Sequence, residues 1–73
     1  MSLPVFVAPS VGGAAVGDTV VLDGDEGRHA ATVKRLRVGE QVVLTDGAGT
    51  AARCTVTEVA KGSLTATVEA VET

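Results

Sequence analysis

The sequence predicts a mainly β fold: a small, partly closed barrel of about five to six short strands, with one helix between the second and third strands. Three observations predict it. Leu64–Val71 alternates Leu64, Ala66, Val68 and Ala70 with Thr65, Thr67 and Glu69, the period-two signature of a strand wet on one side. Asp46-Gly47 follows a run of Val and Leu and is a strong hairpin signal, because glycine takes φ > 0 at little cost. Only one stretch, about Glu26–Leu36, repeats its apolar residues at a helical period. The chain has 73 residues and therefore room for one small domain. A chain this short buries only ~60% of its unfolded surface. Its hydrophobic residues are mostly Ala and Val, with one Phe and neither Tyr nor Trp, so the core must be built from small side chains.

Each element follows from local chemistry. Pro4–Ala8 is a first strand anchored by Phe6, and Pro4 suits a strand start, where a missing N–H does no harm. Pro9–Asp18 is a loop of small residues centred on Gly12-Gly13. Thr19–Leu22 is a second strand, apolar enough to be largely buried. The helix then begins near Glu26. Asp23 has capping-box spacing to Glu26, and Asp25 is the competing N-cap. At ~100° per residue, His29, Ala30, Val33 and Leu36 share an inward face. Arg28 and Arg35 lie opposite, Lys34 on a flank, and Arg37 at the end, where a cation meets free carbonyls. Gly39 is the expected helix stop. Gln41–Thr45 is a third strand, Asp46–Gly49 a turn, and Thr50–Val59 a fourth strand that sets Arg53 on the side opposite Cys54 and Val56. Lys61–Ser63 turns the chain into the fifth strand, making the last three a meander.

Charge is unevenly placed. Residues 1–27 hold Asp18, Asp23, Asp25 and Glu26 and no base; residues 28–37 hold Arg28, Lys34, Arg35 and Arg37 and no acid. The total is −3, but a local +4 block steers anionic partners more than a total does. The same block also fits an ordinary solvated helix face, and at this level both readings stand. The front of the chain has no Lys or Arg ahead of its apolar residues, and Pro4 and Pro9 interrupt it, which is not a secretory pattern. No run approaches the ~20 apolar residues of a membrane span. Cys54, the single cysteine, cannot form an internal disulfide, which fits a reducing compartment.

The chemistry points away from a self-contained enzyme. No nucleophile motif surrounds His29, and no P-loop lysine or following helix accompanies Asp46–Gly49. His29 and Cys54 are too few soft ligands for zinc. A lone histidine on an apolar helix face is a packed residue or, alternatively, an RNA or domain contact. Nucleic-acid binding by a stacking sheet is disfavoured, because Phe6 is the only Phe, Tyr or Trp and belongs in the core. Phosphate contact and shape readout by Arg and Lys remain. That mode suits an accessory domain presenting structured RNA to chemistry located elsewhere.

The ordered set Gly24-Asp25-Glu26, His29, Val33-Lys34-Arg35, Gly39-Glu40 and Asp46-Gly47 with Gly49 resembles the N-terminal, PUA-like domain of the ribosomal RNA small subunit methyltransferase E family. The resemblance spans the chain, but its specific part is Asp25–Gly49. It implies that residues 1–73 form a single PUA-like RNA-binding domain, without the SPOUT-type methyltransferase domain that dimerises and binds S-adenosylmethionine in that family. It implies a bacterial, cytoplasmic parent protein acting in ribosome biogenesis, which methylates N3 of one uridine in 16S rRNA. The implied partner is 16S rRNA or the small ribosomal subunit. The candidate RNA-binding residues are Arg28, His29, Lys34, Arg35, Arg37 and Arg53, with no catalytic, cofactor or metal residue in this chain. Two positions depart from the family pattern: Lys34 replaces a usual Leu, and Pro4 or Val5 replaces a basic residue ahead of the aromatic. The alternative is a β-barrel interaction or dimer-contact module that binds no RNA.

Overall fold

A computed structural model describes residues 3–72. Five strands form one sheet: β1 (Val5–Val7), β2 (Thr19–Leu22), β3 (Gln41–Thr45), β4 (Ala51–Ala60) and β5 (Ser63–Glu72). The sheet order is β1-β3-β4-β5-β2. β1 runs parallel to β3, and the other neighbours are antiparallel. The one helix lies between β2 and β3, as expected. β2 and β3 occupy the predicted residues, and β3-β4-β5 is the predicted meander. The two edge strands are not paired with each other, yet Val7 and Ala8 from one side and Val21 and Leu22 from the other line a common hollow of about 590 Å³. The sheet is therefore curled toward closure around a single core.

That core is apolar throughout, with no buried polar or charged residue among those described. Leu44, Leu64, Val11, Val42, Val56 and Val68 are its largest fully buried side chains. Cys54 is among them, and burial pushes its thiol pKa up, with the Glu69 charge adding to the effect. Val11 lies in the segment expected to be plain loop. There Pro9–Val11 makes a 3-10 turn, started by the fixed φ of Pro9, which drops Val11 into the core.

Two irregularities in β5 and β4 correct the alternation. The register slips between Arg53 and Cys54 on β4, whose partners on β5 are Ala70 and Val68. Glu69 is thus an extra residue, and the inward side changes hands after Val68. Val71, rather than the predicted Ala70, packs on the core. A second slip sets Thr57 as the extra residue between Val56 and Glu58.

The β3–β4 hairpin is held by Asp46. Its Oδ1 accepts from the amides of Ala48 (2.8 Å) and Thr50 (3.0 Å), and its backbone amide donates to the Thr50 carbonyl (3.1 Å). Gly47 and Gly49 both take positive φ, as the loop requires. The amides of Ala48 and Thr50 hold the Asp46 carboxyl below its usual pKa of 3.8. The carboxylate also lies against Gly12: a Cβ there would meet Asp46 Oδ2 at 2.6 Å, so a side chain at that position would have to push the carboxylate aside.

Candidate nucleic-acid interface

The basic segment is built on a helix that differs from its expected form. It runs from Gly24 to Val33, not Glu26 to Leu36, as an α-helical turn α1 (Gly24–Arg28) continued by a π-helical turn (His29–Val33). Asp23 is the N-cap, but its side chain makes no capping bond, so the capping box is not formed. The Asp23 carbonyl instead accepts from Gly27 at 2.9 Å. In the second turn the Lys34 amide reaches back five residues to the His29 carbonyl at 2.8 Å. That wider coil rotates the side chains away from their ideal α positions.

The rotation decides which side chains point inward. Ala30 and Leu36 are buried as expected, but His29 and Val33 are exposed, Val33 by 65%. Gly27 takes the vacated inward place. It sits so close to its surroundings that a Cβ would lie 2.5 Å from the Leu22 carbonyl oxygen and 2.8 Å from that of Gly62. His29 still meets the core through its ring. Its ring stands edge-on to Phe6, centroids 5.9 Å apart and planes at 63°.

Arg35, not Gly39, ends the helix. Its φ is 53°, the one left-handed residue other than glycine among those described. This conformation turns the chain back, brings the Leu36 amide to the Ala30 carbonyl at 3.2 Å, and buries Leu36 beneath the helix. Gly39 serves a separate turn: the Glu40 amide donates to the Arg37 carbonyl at 3.1 Å, with Gly39 at φ 95°. Arg37 therefore belongs to that turn rather than to the helix end. Its amide donates to Glu40 Oε2 at 2.6 Å, leaving its side chain exposed.

Five of the six candidate residues fall within the ten-residue segment Arg28–Arg37, which holds the second half of the helix and the turns after it, and each is exposed: Arg28, His29, Lys34, Arg35 and Arg37 make up a basic rim of the chain. The sixth does not join them. Arg53 is exposed on the outer face of β4, between Val43 of β3 and Ala70 of β5, while the helix packs through Ala30 and Leu36 into the core beneath the opposite face. Sequence reasoning missed two members of the rim. Val33 and Val38 are 65% and 64% exposed among the basic residues. The available signal was their place inside the run Val33-Lys34-Arg35-Leu36-Arg37-Val38, where helical spacing assigned Val33 to the core. Arginine and lysine on an exposed rim can meet phosphate oxygens, and the weakly hydrated guanidinium does so bidentately. Among the described residues no group of three or more His, Cys, Asp or Glu is placed to hold a metal ion.

Known proteins share this fold. Residues 22–69, which include the helix, the basic rim and the meander, match the RNA methyltransferase PUA domain model. Proteins named ribosomal RNA small subunit methyltransferase E from Mycobacterium bovis and Mycobacterium tuberculosis are 58% identical to the chain over 52 residues, 71% of its length. The chain spans only 20% of the length of these relatives. The ribosomal RNA small subunit methyltransferase E of Neisseria gonorrhoeae, solved with S-adenosyl methionine, superimposes with a TM-score of 0.81 at 29% identity, covering 99% of this chain and 29% of that one. A Legionella pneumophila protein solved with bound SAM has the same fold, with a TM-score of 0.86 at 22% identity over 97% of this chain and 28% of its own. With the sequence match covering most of β2 to β5 and the fold matching end to end, the chain belongs to the RNA methyltransferase PUA domain family.

Proposed function

We propose that this chain is the rRNA-binding domain of an S-adenosylmethionine-dependent methyltransferase that modifies N3 of a uridine in 16S rRNA. The observation that carries the reading is the rim itself: Arg28, Lys34, Arg35 and Arg37 are all exposed within ten residues that hold no acid, in a chain of net charge −3. Family membership supports it. The domain positions structured RNA through phosphate contacts, and the methyl transfer belongs to a SPOUT-type domain elsewhere in a homodimeric, cytoplasmic parent protein. S-adenosylmethionine supplies the methyl group there.

A salt titration tests the proposal. Four phosphate contacts give a slope of log K against log[salt] of about −2.8 to −3.6. Binding of a structured 16S rRNA fragment should follow that slope, and Arg35→Ala with Arg37→Ala should flatten it by about 1.4 to 1.8. Binding without salt dependence, or unchanged by the double substitution, would sink the proposal.

A second reading finds support only at Arg53. On the outer sheet face it stands in a row with Val5, Val43 and Ala70, a mixed apolar surface suited to protein contact. On that reading the chain is an interaction or dimer-contact module that binds no RNA, and Arg53→Ala weakens its protein contact alone.

A further inference from the structure

The rim holds more than cations. Three departures from ordinary backbone or packing preference meet within seven residues, His29–Arg35. The coil widens to a π-turn at His29–Val33, a form that recurs at functional sites. Arg35 occupies the left-handed region that a glycine would fill with less strain. His29 and Val33, spaced to lie on one stripe across that turn, are exposed although both are residue types that a core would accept. His29 is also the single histidine of the chain, and it carries the one aromatic ring on the described surface, since Phe6 is buried.

The ring leans on the core through one aromatic neighbour. Phe6 is only 4% exposed and fixed in the core, and its edge-on contact with His29 leaves at least one imidazole face uncovered by it. An exposed imidazole four residues from an exposed β-branched side chain, with Arg28 before it and Lys34 and Arg35 after it in sequence, has the parts needed to take one nucleotide. The base stacks on the ring, the sugar edge lies on Val33, and the flanking phosphates meet the cations. A base within a continuous duplex is stacked on its neighbours and cannot offer its face.

We infer that His29 and Val33 form a stacking site for a single unpaired nucleotide of a structured RNA, with Arg28, Lys34 and Arg35 gripping its phosphates. This rests on the RNA-binding reading above and refines its substrate class from any duplex or shape to RNA carrying a bulged or looped-out base.

The test compares two labelled RNAs, a stem with a one-nucleotide bulge and the same stem fully paired, by fluorescence anisotropy at low salt. The bulged RNA should bind the 73-residue chain more tightly. His29→Ala should remove about 5- to 150-fold of affinity for it, the range of one base–aromatic stack. His29→Phe should retain the preference, which a purely charged contact would not. The ring protons of the single histidine should move upfield in NMR spectra with the bulged RNA and not with the duplex. Equal binding of both RNAs, with His29→Ala unchanged while Arg28→Ala and Arg35→Ala weaken both, overturns the stacking site and leaves the phosphate surface standing. Binding of neither RNA overturns the stacking site together with the RNA-binding reading. Circular dichroism of each variant confirms folding, and Val33→Ala, which trims the apolar surface without adding charge, should lower the preference for the bulged RNA in the same direction as His29→Ala.

Discussion

Arg35 separates what the fold wants from what the surface offers. A left-handed residue costs about 1–2 kcal/mol for a side chain with a Cβ, and a helix-terminating position of this kind is usually glycine. Arg35→Gly removes that strain but adds unfolded-state entropy worth about 0.5–1 kcal/mol, so stability should be level or slightly raised. Arg35→Val keeps the strain and adds β-branching, and should lose about 1 kcal/mol more. Both substitutions should weaken RNA binding alike. Urea denaturation beside a binding titration checks this, and a clear loss of stability in Arg35→Gly would show that the guanidinium holds the fold. Gly27 makes the opposite case. Its missing Cβ leaves room for the carbonyls of Leu22 and Gly62, and backbone gives way poorly. Gly27→Ala should cost about 1–3 kcal/mol in the same assay. Neither role is legible in sequence. A glycine between Glu26 and Arg28 looks like a weak helix residue, and an arginine gives no sign of a left-handed φ.

At the scale of elements, strands were legible where one residue in two faces the core without interruption. β2 and β3 fall on their predicted residues because their patterns carry no bulge. β5 was legible only to Val68, because the extra residue Glu69 carries no glycine or proline to announce it. The helix was legible as an element and illegible as a face: the π-turn is set by the Lys34 amide choosing the His29 carbonyl, a choice that the apolar spacing does not encode. The candidate site inherits this split. Its charges were visible in the sequence, whereas the exposure of His29 and Val33 and the separation of Arg53 were not. The hairpin was legible through Asp46-Gly47, and its chemistry gives a pH prediction. The folded pKa of Asp46 lies below 3.8 because the amides of Ala48 and Thr50 favour the carboxylate. Its stabilising contribution is therefore present above the unfolded pKa and is lost as pH falls through the folded one. Melting temperature should drop more steeply below about pH 4 in the wild type than in Asp46→Asn, which has no charge to lose there. Parallel melting curves for the two proteins across that window would exclude Asp46 as the cause.

The whole molecule is polarised along its chain, and this order survives folding at the helix. Asp23, Asp25 and Glu26 stand at its start, Arg28 lies midway, and Lys34, Arg35 and Arg37 follow its last turn, so acids and most of the bases match the helix dipole. The strand order had no comparable local trace. Placing β1 beside β3 and β2 beside β5 depends on contacts between residues far apart in sequence, such as Val5 with Val43 and Val20 with Ala66. The polarity has a kinetic consequence. An RNA approaching the rim also feels the acids in the first turn of the same helix, which repel it and narrow the orientations from which it can dock. Asp18 is best left in place, because its Oδ2 accepts from the Ala15 amide at 2.9 Å. Replacing Asp23, Asp25 and Glu26 by their amides takes the formal net charge from −3 to 0. At low salt the association rate with RNA should rise several-fold, up to about 10-fold, and the preference for bulged over paired RNA should shrink as unselective attraction grows. Near 1 M salt the Debye length is about 3 Å, and the rates of variant and wild type should converge. Stopped-flow mixing at several salt concentrations measures this. Rates that match at every salt concentration would mean that the RNA never passes near the start of the helix, and would move the docking path to the Arg37 end of the rim.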